Sequence, residues 1–319
     1  MEWLTSIAKV SLTAAMLSAT ASAYAAQLST EARAAIPHDV QQLLVIDYKA
    51  IQSSTVASSL RDRVMPPELK PFDEALRKSG LNENHDVDQL AFVLYRPNET
   101  GDQLASVGIA QGQFAAPEIV ASFRKQRLKA AIVRGYKVYP LAKTGMVVCF
   151  IDSSTMVFGD PDAVHSVLDA RDGMAPSLLT NEPVMDAMKS VDHETLWSVL
   201  DSKGTQTMLR QVLGSAGSVA DFETVSKHLR SSWYGMDFQH GVSFDLSIDT
   251  GDSLVASTLS SLFNVAVTAR KSSGTEDEKR ALANTSFHAD AGNLAIQFSS
   301  SDSDFISLLH SPLFQGLLS

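Results

Sequence analysis

Cysteine is all but absent from this sequence: of 319 residues only Cys149 carries a thiol, so no intramolecular disulfide can form. Cys149 sits in MVVCFID between apolar neighbours, which predicts a buried strand thiol and not the exposed, electropositive setting of a nucleophile. Charged residues are sparse at 19%, and 36 acidic against 26 basic residues leave a net charge of -10. That balance excludes general attraction of the whole surface to nucleic acid or anionic lipid, although a local basic patch remains compatible with an anionic partner. A Gly-x-Ser-x-Gly elbow, a Walker loop, a dinucleotide-binding glycine loop and a His-Glu-x-x-His pair are all missing, and the eight histidines are dispersed. No cofactor is expected from such a sequence.

What is present is enough apolar residue, 45%, to bury a proper core in one composite domain or two modest ones. Residues 1–26 carry one Lys, Lys9, then an apolar and small-residue stretch from Val10, then Ala23-Tyr24-Ala25. This reads as a secretory signal cleaved near Ala25 or Ala26, and it is too short and too diluted by Ser and Thr for a spanning helix. A periplasmic or secreted chain with no stable membrane span after cleavage is the expectation. Residues 27–35 then read as a polar, Ala-rich lead.

The stretch that organises the rest is Gln89 to Ala131, a hairpin feeding a helix: Leu90 to Tyr95, the turn RPNETGD, Leu104 to Ala110, and a helix opened by Pro117 with Ile119, Val120 and Phe123 along one side. Before it come a short strand at Leu43 to Asp47, a helix over Ile51 to Val64 stopped by Pro66-Pro67, and another from Glu68 to Lys78. After it come strands at Tyr136 to Leu141, Met146 to Ile151 and Thr155 to Phe158, and a helix entered at Asp160-Pro161. Gly173 to Pro183 makes the best boundary.

Beyond the boundary the order recurs. A strand at Leu196 to Asp201, helices over Thr205 to Leu213 and Val219 to Leu229, and a hairpin of Trp233 to Gln239 and Val242 to Asp249 precede a helix with Val255, Leu259, Leu262, Phe263 and Ala266 in one stripe. Strands at Ser286 to Ala289 and Leu294 to Phe298 and a helix from Ser301 or Asp302 complete it, with Lys271 to Asn284 as a polar insertion. The expected fold class is therefore α+β: two tandem related units, 36–175 and 183–319, each a mainly antiparallel sheet with helices packed on one face. This layout, with IPHDVQQLLVIDYKAI near the start and NENHDVDQLAFVLY before the first hairpin, resembles uncharacterised exported bacterial proteins built from two such units. The resemblance implies no known activity and no catalytic residues.

The strongest local feature is charge segregation. From Ile119 to Ile151 there is no Asp or Glu, while Arg124, Lys125, Arg127, Lys129, Arg134, Lys137 and Lys143 all fall there. A basic face of Arg124, Lys125, Arg127 and Lys129 is the candidate binding site for a protein or an anionic ligand, set against a plainer reading as a solvated helix face opposite acidic loops of the same molecule. Nucleic acid is not expected there, since no aromatic interleaving accompanies the cations.

Other constellations are weaker. Ser122-Phe123-Arg124-Lys125 matches Ser-x-x-Lys without its partner motifs. Asp192-His193-Glu194 is the one close acid and base cluster, and reads more simply as a polar loop. Asp245 and Asp249 lie more than about 13 Å apart along one strand, too far for a retaining glycosidase pair. Asp302-Ser303-Asp304 reads as helix capping, Asn98-Glu99-Thr100 and Asn284-Thr285-Ser286 as sequons, and Leu308 to Leu318 as an apolar tail. No metal site is expected. The leading expectation is a non-enzymatic binding or scaffold protein of the cell envelope; the alternatives are an envelope hydrolase whose site is assembled from distant residues, and a carrier of an apolar ligand.

Overall fold

A computed structural model describes residues 27–52, 54–64, 69–98, 103–141, 145–213 and 222–311. The expected signal sequence, Pro66-Pro67, most of the sequon at Asn98, Lys143, Val219 and the tail from Pro312 lie outside the described residues.

One continuous antiparallel sheet of twelve strands runs through the molecule. At its centre β1 (Val40–Asp47) pairs with β8 (Leu196–Asp201), Leu44 opposite Ser198. Outward from β1 come β2 (Val87–Tyr95), β3 (Ala105–Gly112), β7 (Thr155–Gly159), β6 (Val147–Phe150), β5 (Tyr136–Pro140) and, at the edge, β4 (Ala131–Val133). Outward from β8 come β9 (Ser231–Asp237), β10 (Val242–Asp249), β12 (Asn293–Ser300) and the other edge, β11 (Thr285–Asp290).

Alternation along the strands assigns each side chain to a face. On one face Val45, Ala91, Ile109, Val157 and Cys149 form part of a single core with α1 (Thr30–Ala35), α7 (Pro161–Arg171) and α8 (Glu182–Lys189). On the opposite face Phe158, Val148 and Tyr139 pack beneath α6 (Ala116–Lys125), which buries Ile119 and Phe123. The Phe123 and Tyr139 rings lie 5.0 Å apart.

Farther along that second face, Leu246, Ile248, Leu294 and Ile296 are covered by α9 (Ser202–Leu213), α10 (Phe222–Ser226) and the 21-residue α11 (Ser253–Ser273), which contributes Leu259 and Phe263. No described helix covers the first face there, where Asp245, Gln297 and Ser286 stand side by side across β10, β12 and β11. The last helix, α13 (Asp302–Leu309), does not cover it: Phe305 and Leu309 pack with Val242 and with Val56 and Leu60 of α3 (Thr55–Val64).

Several sequence expectations are corrected. Helices lie on both faces of the first half of the sheet, because both sets of alternate side chains on β7 are apolar and both have to be covered. Residues 27–35 are no lead: Leu28, Ala32 and Ala35 are in the core, Ser29 caps α1 by accepting from the Ala32 amide, and Gln111 fixes Ser29 through both its amide atoms. The helix expected over Ile51 to Val64 is interrupted, with a single turn α2 (Tyr48–Ile51) capped by Asp47 ahead of α3. Α-helix α4 (Leu69–Lys78) matches its expectation, and the short α5 (Glu83–Asp86) leads into β2. The polar Lys271 to Asn284 insertion is mostly helical, since α12 (Glu276–Ala283) begins with a full capping box between Thr275 and Glu278.

Candidate functional site: an unpaired basic corner

The basic residues after Phe123 owe their placement to the end of α6. Ile119 and Phe123, four apart, pin the helix to the sheet, so Arg124 and Lys125 fall on its solvent side in the last turn, where cations suit the helix dipole. The chain then leaves the helix through paired closing bonds: the Leu128 amide donates to the Phe123 carbonyl at 3.0 Å and the Arg127 amide to Arg124 at 2.9 Å. Leu128 also packs into the Phe123 cluster, completing the hydrophobic contact that accompanies this kind of helix end.

That geometry puts Arg127 in the left-handed region at φ 62°, the position that glycine usually fills. A second arginine does the same seven residues later, in the β4 to β5 turn: Arg134 has φ 51° and Gly135 φ 83°, the two-residue hairpin geometry that favours Asn-Gly. Of the three non-glycine residues with positive φ among those described, two are therefore arginines of the acid-free stretch.

The structure divides the island into paired and unpaired members. Arg134 Nε donates to Asp169 of α7 at 2.6 Å, and Arg171 bonds the Tyr136 hydroxyl while lying 5.4 Å from that ring's centre, so the β4 and β5 hairpin is tied to α7. Arg124, Lys125, Arg127 and Lys129 are all exposed and have no hydrogen-bond or ion-pair partner among the described residues. Lys137, exposed on β5, is likewise unpartnered among them. Among the described residues, none of the acidic loops invoked by the plainer sequence reading bonds or ion-pairs with these side chains. Ile132, opposite Lys137 on β4, is 65% exposed in the midst of the cations.

The remaining sequence candidates disperse. Ser122 Oγ accepts from Gln126 at 3.4 Å, and Lys125 makes no bond to it. His193 Nε2 lies 3.2 Å from Glu194, whose carboxyl is pushed above its usual range chiefly by burial, and further by Asp237 and Asp245, with His193 opposing. Thr195 donates to Asp237 at 2.9 Å, so its hydroxyl is committed to a carboxylate and not to the His193 imidazole. No group of three or more His, Cys, Asp or Glu among the described residues is placed to hold a metal ion. Cys149 is fully buried and its thiol is pushed up to about 11 by that burial. The capping expected of Asp302-Ser303-Asp304 falls one residue earlier: Ser301 caps α13 by accepting from the Asp304 amide, and Asp302 is the first helical residue.

Two polar features escaped the sequence reading. Gln42 donates to both Ser198 and Tyr234 across the β1, β8 and β9 junction, at 3.2 and 3.3 Å. At the same end of the junction, one residue farther out, Arg96 holds Asp201 and donates to Gln41 at 2.9 Å. Both are long-range pairings between ordinary polar residues, which no local pattern marks.

No protein-family model matches this sequence, and no curated protein matches it. Among solved structures the fold is similar to TP0453: crystal form I aligns with TM-score 0.51 and 10% identity over 90% of this chain and 97% of that one. Crystal form III of the same protein aligns with TM-score 0.50 and 8% identity over 87% and 96%. This likeness concerns the fold alone. No described helix is long and apolar enough to cross a membrane.

Proposed function

We propose that this is an exported, non-enzymatic binding or scaffold protein of the cell envelope that engages an anionic partner through Arg124, Lys125, Arg127 and Lys129. The observation that carries the reading is that four exposed cations stand without partners among the described residues, in a chain of net charge -10. Charges kept only for solubility are normally interspersed with acids, whereas these form a single-sign patch on an otherwise acidic molecule. The scaffold reading draws further support from the strand order. Leaving the β1 and β8 pair in either direction, the chain lays down strand, hairpin and returning hairpin in the same spatial order, β1-β2-β3-β7-β6 against β8-β9-β10-β12-β11. We take the halves to be duplicated copies, of which only the first acquired the basic corner.

The test is salt-dependent binding of the full chain to immobilised anionic probes, compared with the Lys125→Glu/Lys129→Glu variant. Binding that weakens about tenfold or more in the variant, and falls with added salt, supports the reading. Equal binding by parent and variant rejects it.

A further inference from the structure

We infer that the basic corner is an edge-strand docking site for an extended polypeptide segment with acidic side chains along one face. The inference rests on the anionic-partner reading above and commits it to one class of partner. Three features coincide at β4, and a polypeptide is the ligand that uses all of them.

The first is the free edge. Among the described residues β4 pairs on one side only, with β5, and is the last strand of the sheet. In a hairpin closed by Arg134 and Gly135, the terminal pair Val133 and Tyr136 exchanges both backbone bonds, and the next pair, Ile132 and Lys137, exchanges none. The Ile132 N–H and C=O therefore point outward, away from β5, where an added strand would meet them.

The second is the apolar surface beside that backbone. Ile132 is 65% exposed, and Ala131, on the opposite face, is exposed as well. The third is the charge. Ile132 and Lys137 share the sheet face that carries α6, because Lys137 alternates with Tyr139 and Tyr139 packs on Phe123. An added strand thus shows one row of side chains to the cationic end of α6 and the other to Ala131 and Val133, which calls for acids alternating with aliphatic residues.

Short edges and flanking lysines also serve to discourage unwanted strand pairing. Edge protection gives no reason for the backbone of Arg127. A left-handed arginine costs on the order of 1 kcal/mol relative to glycine, and glycine would close α6 equally well. Retaining the guanidinium there fits a partner with carboxylates, which arginine can hold through two parallel bonds. A nucleic acid or a stacked sugar would call for aromatic side chains in the patch, and none is exposed on 124–134.

The experiment uses the full chain labelled with 15N and a seven-residue capped peptide alternating Glu and Val, with a Lys and Val peptide, inorganic polyphosphate and phosphatidylglycerol vesicles as comparison probes. The expected result is weak binding of the Glu and Val peptide that slows hydrogen exchange of the Ile132 amide, weakens about tenfold in Lys125→Glu/Lys129→Glu, and is lost in Ile132→Pro, whose ring removes the outward N–H. Unchanged amide spectra away from residue 132 confirm that the proline variant is folded. Binding of polyphosphate or vesicles with no Ile132 protection, or peptide binding indifferent to Ile132→Pro, overturns strand docking while leaving the anionic-partner reading in place. Binding of no anionic probe overturns both.

Discussion

At the scale of single residues, Arg127 is where sequence and structure disagree most usefully. Its composition placed it on a helix face, but the helix ends two residues earlier, and the backbone there turns left-handed at φ 62°. Arg127→Gly should stabilise the fold by about 0.5–1 kcal/mol, since glycine takes that conformation freely and loses some of the gain to its more flexible unfolded chain. Chemical denaturation measures the gain, and the same protein should bind anionic probes more weakly than the parent. A loss of stability would show that the arginine side chain makes contacts that hold the fold, and would remove the case for its functional retention.

Glu194 makes the opposite kind of test, one of pH. Burial is the largest cause of its raised pKa, with Asp237 and Asp245 adding to it. The folded protein therefore holds this proton to higher pH than the unfolded chain, whose value is near 4.5. Stability is lost as pH rises through the window between the two values, because ionising Glu194 is harder in the folded state. Glu194→Gln should raise the melting temperature at pH 8 and change it little at pH 4, as followed by circular dichroism. An equal shift at both pH values would mean that packing against Gly235, and not ionisation, sets the cost.

At the scale of elements, the apolar periodicity of the sequence carried most of the strands. Β-strand β2 alternates buried and half-buried positions along its full length, and β10, α9 and α11 fall close to where alternation and stripes put them. The misses share a cause. Ala131-Ile132-Val133 gives no strand signal because three residues are too short to show a period, and the start of α8 falls at the end of the expected Gly173 to Pro183 boundary because Pro183 marks a turn as readily as a first helical turn. The candidate cations were legible by name; their lack of partners, the left-handed arginines and the free edge were not, since each depends on where distant acids and strands come to lie.

Gly108 shows how tightly neighbouring elements fit once placed. It sits on β3 opposite Phe158 of β7, and a Cβ built on it would lie 2.1 Å from the Phe158 ring. The ring is itself held edge-on by Phe92, with centroids 6.1 Å apart. Gly108→Ala should cost about 1–3 kcal/mol through this overpacking. Adding Phe158→Leu makes room for the methyl group, so the double variant should lose less than the sum of the two single losses. Strict additivity in equilibrium unfolding would show that the ring turns aside without cost.

At the scale of the whole molecule, the question is what joins the strands on the β1 side and those on the β8 side into one sheet. The β1 and β8 ladder supplies five matched residue pairs, from Gln42 with Leu200 to Ile46 with Leu196. At one end of that ladder Arg96, just past β2, reaches across β1 to Asp201, just at the end of β8, and also donates to Gln41. Asp201 is engaged twice, because its other oxygen accepts the Gly204 amide at 2.7 Å and caps α9. The two side chains are only 14% and 20% exposed, so removal of either leaves a poorly solvated charge. Asp201→Ala should therefore cost about 2–4 kcal/mol, and Arg96→Ala somewhat less, since it leaves the α9 cap intact. In the double-mutant cycle the coupling between them should reach about 1 kcal/mol or more. If the halves are joined mainly through this junction, the Asp201→Ala variant should also broaden the thermal transition, with the β9, β10 and β12 amides exchanging ahead of β2 and β3. A single sharp transition with uniform exchange would assign the union to the apolar core that Trp197 and Val199 share with Val45 and Leu43, and would reduce the ion pair to a local brace.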